Sequence, residues 1–233
     1  MTSLNSLVYE LLSLRRGDIT DTDPIDRRLV IDWIQTQRAR LLHQKFDKPF
    51  TYIDEHLVQD LGIIQMETVD SNSLSVDLKD KMRRTAIDIP ETIERKGGIG
   101  TFTRIGPDEK TSTKFNVVTY DRALVSGNGK FNKDVTYAFT LGDRVYITSK
   151  SDSEFALQYI NIRGVFQDPI IAARIADPTW TYDDDYPINK SMIDQLKVLV
   201  LKEKFAVTLI QPSDRTDDLD DNPQGNATVQ KGK

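Results

Sequence analysis

The sequence contains no cysteine. That excludes disulfides, thiolate metal sites and cysteine nucleophiles, and it leaves the redox compartment open. Histidine is almost as scarce, with His43 and His56 the only two among 233 residues. Neither stands in a zinc or triad spacing such as H-E-x-x-H, so both read as structural or surface residues. No run approaches the roughly 18 consecutive apolar residues of a membrane span. The N-terminus lacks the basic start and apolar stretch of a signal peptide, so export by that route is not expected. Positive charge is not in excess either. Thirty-one basic against 36 acidic side chains give a net −5, with the signs mixed along most of the chain. This argues against a broad basic nucleic-acid surface.

What remains fits a globular protein with ample core: 38% apolar and 29% charged residues. The most informative stretch is Tyr186 to Phe205, YPINKSMIDQLKVLVLKEKF. Pro187 fixes its own φ and favours an extended Tyr186, and Asn189 can cap a first turn. Met192, Ile193, Leu196, Leu199 and Val200 then recur at helical spacing, while Val198, Leu201 and Phe205 fall on a second face. A helix apolar on two faces is expected between two layers, one of its own domain and one a further helix or another copy.

Two more helices open the chain. Leu4 to Arg16 has Ser3 as N-cap and a stripe of Leu4, Leu7, Val8, Leu11 and Leu12. After an acidic turn, Asp23-Pro24 starts a helix running to about Phe46, with Ile25, Leu29, Val30, Trp33, Ile34, Leu41 and Leu42 on its apolar face and Gln37 interrupting it. Together they read as an αα-hairpin. From 51 to 165, β-branched and aromatic residues alternate with polar ones. Expected strands are His56–Thr68, Thr85–Ile89, Gly100–Ile105, Phe115–Tyr120, Arg122–Val125, Val135–Thr140, Arg144–Ser149 and Phe155–Arg163. Gly127-Asn128-Gly129 and Gly142-Asp143 are hairpin-grade turns.

The fold class is therefore α+β. An N-terminal helical hairpin (1–50) and a crossover with the C-terminal helix (166–210) form a small bundle. A β-rich sandwich or barrel (51–165) is inserted between them, and a polar, flexible arm (211–233) follows.

No catalytic, metal or cofactor constellation emerges. Asp183-Asp184-Asp185 has no second ligand set, and Gly97-Gly98-Ile99-Gly100 lacks the Gly-Lys-Ser/Thr and helix of a phosphate loop. The arginines of the first two helices are interleaved with aspartates, unlike a DNA-binding helix. Arg38 and Arg40 are candidates for bidentate pairing with a neighbouring copy's carboxylates, against the alternative of a solvated face. Trp33 reads as core, and Trp180 as an anchor for its loop or for an interface. Candidate interface residues are Arg38, Arg40, Trp180, Val198, Leu201, Phe205, Asp214 and Arg215.

Four blocks carry a family resemblance. They are LVYELLSLRRGDITDTDPIDRRLVIDWIQTQRARLLHQ, then HLVQDLGIIQMETVD with RRTAIDIPETI, then INIRGVFQDP, then YPINKSMIDQLKVLVLKEKF with its Asp/Asn-rich sequel. In this order they resemble the neck and ring proteins, tail-tube-adaptor-like connectors, of crAss-like short-tailed phages. The resemblance implies a non-enzymatic virion subunit, assembled in the host cytoplasm. It also implies a ring of twelve copies stacked below the portal, contacting neighbouring ring and tail proteins, through which double-stranded DNA passes. A β-rich receptor- or glycan-binding tail component is the alternative, and it requires an aromatic platform on the surface of residues 100–165. An enzyme would need groups that two histidines and no cysteine do not supply.

Overall fold

The computed structural model describes residues 2–16, 26–48, 51–69, 81–95, 99–108, 113–125, 135–149 and 157–205. The expected helix start at Asp23-Pro24, the Gly127-Asn128-Gly129 turn and the C-terminal arm lie outside those residues.

Helix α1 spans Leu4–Arg16, and the Ser3 hydroxyl accepts the Ser6 N–H at 3.2 Å, satisfying one free donor of the first turn. Helix α2 spans Arg27–Phe46. Its cap is Asp26, extended at φ −62 and ψ 128, which accepts the Arg28 N–H; the expected cap was Asp23. The Arg27 guanidinium bonds Asn5 in the first turn of α1. The two helices therefore begin near each other.

The sheet strands follow: β1 Gln59–Thr68, β2 Lys81–Thr85, a small β3 Glu94–Arg95 and β4 Ile99–Gly100 pair, then β5 Phe102–Pro107 and β6 Asn116–Val117. A short helix α3, Tyr120–Val125, precedes β7 Tyr137–Leu141, β8 Arg144–Ser149 and β9 Tyr159–Gly164. Seven strands form one sheet in the order β5-β9-β1-β2-β8-β7-β6. Neighbours are antiparallel except β6 and β7. The sheet curls until its edges nearly meet, and the Phe115 N–H donates to the Ile105 carbonyl at 2.7 Å. The outcome is closer to a barrel than a sandwich.

Two glycines shape it. Gly142, at φ +58, opens the two-residue turn between β7 and β8, where Leu141 pairs with Arg144. Gly62, at φ +75, sits in a bulge where the β1–β9 register shifts, its N–H held by the Asp60 carboxylate. The extra residue lets both Leu61 and Ile64 point inward, although strict alternation would expel one of them.

Three corrections concern these elements. The segment 122–125 is helical, not a strand. Its Ala123 and the preceding Val118 pack on the outer face of β7 and β8 against Tyr137, Phe139 and Tyr146, and that burial overrides local β propensity. The strand expected at 85–89 lies at 81–85, because the chain bends at Ala86 and Ile87, and Ile89 lies beyond the bend. The strand expected at 115–120 shrinks to Asn116–Val117.

The curl leaves little room at its seam. A Cβ added to Gly106 would lie 2.3 Å from the Thr113 carbonyl oxygen, a backbone atom that cannot swing aside. Gly106→Ala is expected to cost about 2 kcal/mol in urea unfolding. A parent-like midpoint would show that the seam is loose.

Two cores result. Inside the sheet lie Leu61, Ile64, Met66, Ile105, Ala138, Val145, Ile147, Ile160 and Ile162, joined by Ala172 of helix α4, Pro169–Ala176. Leu4, Leu7, Val8 and Leu11 of α1, Val30, Ile34, Leu42 and Phe46 of α2, and the C-terminal helix share the second. That last helix runs as α5, Lys190–Leu199, capped by Asn189, and ends in a π turn, Val200–Phe205.

Candidate subunit interface

The C-terminal helix separates its two apolar faces differently from the simple α spacing. Met192, Leu196 and Val200 are buried, as expected of the inner face, and Val198 is 48% exposed. Phe205 was assigned to the outer face with Val198, but it is 3% exposed and meets Trp33 edge-on at 5.2 Å. In an α-helix, residues five apart lie about 140° apart. The i→i+5 bonding of the π turn reduces that offset and carries Phe205 round to the side of Val200. Leu201 is half-buried against the same core.

Arg38 is fully buried inside the protomer. Its Nε donates to the Pro187 carbonyl and its Nη1 to the Phe166 carbonyl, both at 2.9 Å. Its carbon Cζ lies 5.8 Å from the centre of the Tyr186 ring. This corrects the expectation of an intersubunit carboxylate pair, because the partners are backbone carbonyls of the same chain. They belong to the segments entering α4 and α5, so one side chain ties both to α2. Burial pulls the guanidinium below its ordinary pKa, opposed by Tyr186 and Asp168.

Burial also pushes the Tyr186 hydroxyl up to about 12, opposed by Arg38. The folded protein then keeps this proton at a pH where the unfolded chain, near 10, releases it. Tyr186 therefore removes stability as pH rises from about 10 towards 12, by about 1.4 kcal/mol per pH unit at most. The hydroxyl is buried without a hydrogen-bond partner. Tyr186→Phe should leave stability at pH 7 near the parent's and flatten the alkaline slope. An unchanged slope would exclude Tyr186 as its source.

Arg40 lies on the surface, and its Nη1 pairs with both Glu203 oxygens at 2.6 and 2.7 Å. Gln37, the polar break in the stripe of α2, is 2% exposed and donates to the same carboxylate at 3.2 Å. The Arg40 hydrogen bond holds Glu203 below its ordinary 4.5. A depressed folded pKa places the pair's contribution above about pH 4.5 and removes it as the pH falls through the folded value. Glu203→Gln should remove that part of the acid slope, and titration of the carboxylate by NMR checks it directly.

Trp180 is half-buried, packed on the helical core at one edge and meeting Tyr182 edge-on at 5.8 Å. The adjacent aspartates serve the loop. Asp183 accepts from Asn5, and Asp184 accepts from the Thr181 N–H at 2.7 Å and its hydroxyl at 3.1 Å. Asp214 and Arg215 lie outside the described residues. The structure thus brings Arg40, Leu201 and Phe205 to one α2 seam and leaves Trp180 and Val198 on other parts of the surface.

The aromatic residues of the sheet are mostly covered, on one face or the other. Phe115, Tyr137, Phe139 and Tyr146 are buried, and Phe102 and Tyr120 are half-buried. Tyr159 is exposed, so the described residues between 100 and 165 offer one exposed ring and not the platform that the glycan alternative requires. Among the described residues no helix is long and apolar enough to cross a membrane.

The deciding observation is a family comparison. The model of the family described as phage tail ring protein 2, CrAss_Ring_2, matches residues 6–223. The chain belongs to this family of phage tail ring proteins. It is a virion structural protein of the bacteriophage tail, built for oligomeric ring assembly with other tail proteins. No curated protein matches the sequence.

Proposed function

We propose that this ring protein is a non-catalytic subunit of the head-to-tail connector. Twelve copies close a ring stacked below the portal, assembled in the host cytoplasm, and double-stranded DNA passes through its lumen. The observation that carries the reading is the family match along almost the whole chain, both helical layer and sheet included. The chemistry is compatible with it. A net charge of −5 per copy does not attract phosphates, and attractive contacts repeated around a ring would hold DNA that must slide.

Reconstruction of the particle's neck by electron cryo-microscopy, with rotational symmetry tested rather than imposed, examines this reading. The expected result is a ring next to the portal that this chain fits, with twelve-fold symmetry. A ring placed elsewhere along the tail would refute the connector assignment. A different copy number would refute the twelve-fold closure alone.

A further inference from the structure

We infer that the surface formed by Ile171, Arg174, Trp180 and Tyr182 is where a second copy of this chain docks. The inference rests on the ring reading above and names the contact within it.

Helix α4 is fixed by its start. Asp168 accepts the N–H groups of Ile170 and Ile171 at 2.9 and 3.1 Å, and Pro169 occupies the first turn. Ile170 and Ala172 face inward. Ile171, 52% exposed, and the exposed Arg174 stand one turn apart on the outer face. The loop after α4 is held by its own turns. Thr179 bonds the Asp177 carboxylate through both its N–H and its hydroxyl, and the Trp180 N–H reaches the Asp177 carbonyl at 3.0 Å. These bonds place Trp180 and Tyr182 edge to face. The Arg174 guanidinium lies 5.8 Å from the Tyr182 ring centre and 3.4 Å from its hydroxyl.

The four side chains therefore form one contiguous shelf. Both rings rest on the helical core and leave their outer parts in water. Trp, Tyr and Arg are the residue types that dominate interface energies, and rigid rings lose little entropy on docking. Other strongly exposed apolar residues, such as Tyr9, Tyr52 and Val125, sit on separate elements.

Two observations point to a second copy. A closed ring of more than two identical chains must cover two different surfaces on each chain. The rim of the shelf carries exposed Asp177, Asp183 and Asp184, which favour a facing surface with basic groups. This chain offers such groups at exposed Arg28, Lys48 and Arg95.

The test places the photo-cross-linking residue benzoylphenylalanine at Ile171 in the full chain, assembled in particles, with Val125 as the control position. The expected product is an adduct of two copies of this chain at 171 and not at 125, identified by mass spectrometry. Rings that assemble normally but give no adduct at 171, or an adduct with a different virion protein, would overturn the docking surface and leave the ring reading intact. A chain found as a single copy per particle would defeat the ring reading itself. A second variant, Ile171→Asp with Trp180→Ala, should fold with a parent-like circular dichroism spectrum and enter particles about tenfold less often. Parent-level entry would also overturn the inference.

Discussion

Arg38→Ala should be among the most damaging single changes in the helical layer, costing about 3–5 kcal/mol in urea unfolding. Two charge-assisted hydrogen bonds disappear, each of about 1.5–3 kcal/mol. The Phe166 and Pro187 carbonyls lose their Arg38 donors at a buried site, and a cavity opens beside the Tyr186 ring. The opposing term is real, because burial disfavours the charged guanidinium. Arg38→Met separates the two contributions. Methionine restores most of the volume and removes the charge, yet it leaves both carbonyls without that donor. The expected loss for Met is about half that for Ala, about 2 kcal/mol. Should Arg38→Met equal or exceed the parent, desolvation outweighs the bonds, and Arg38 is retained for something other than stability. Arg38→Lys is expected to fall between them, since one ammonium cannot reproduce a planar fork aimed at two carbonyls.

Arg38 also marks where the sequence stops being informative. The residue type and its helical position were readable, but its partners lie 128 and 149 positions further along the chain. Periodicity reports that a side chain faces inward and is silent on what it meets. Arg40 and Glu203, 163 positions apart, show the same limit. Local chemistry was more legible. Ser3 and Asn189 each stand at a helix start with the side-chain oxygen on a backbone N–H, and Gly142 turns the hairpin at positive φ. The helix at 120–125 was hidden because a turn and a half is too short for a period to declare itself, and its burial on Phe139 and Tyr146 decides the outcome. The bulge at Gly62 and the π turn at Val200–Phe205 were hidden for a related reason. Each inserts a step that breaks the regular count, so residues assigned to one face by spacing end on the other. The surface at Ile171 and Trp180 was half visible. Trp180 was a candidate from its residue type alone, whereas its link to Arg174 through Tyr182 is a property of the folded loop.

The contrast between Leu196→Asp and Val198→Asp tests the reassigned C-terminal helix most sharply. Leu196 is completely buried among α1 and α2 residues, and Val198 is 48% exposed two positions later. Aspartate at 196 loses about 2–3 kcal/mol of apolar burial and adds the penalty of a carboxylate without a partner. The sum, about 5 kcal/mol or more, is comparable with the entire stability of a typical domain, so Leu196→Asp should fail to fold or should expose the helical layer to proteolysis. Aspartate at 198 should shift the unfolding free energy of the isolated chain by about 0.5 kcal/mol or less. Measuring both variants as monomers separates folding from assembly. If Val198→Asp also unfolds the chain, the outer side of α5 is buried within the protomer, and the helix is sandwiched by its own fold. If it folds normally and only its entry into particles falls, Val198 belongs to a subunit contact on the far side of the helical layer from its core. A parent-like Leu196→Asp would overturn the placement of the helix altogether, because no arrangement that buries Met192, Leu196 and Val200 together tolerates an unpaired charge at the middle position.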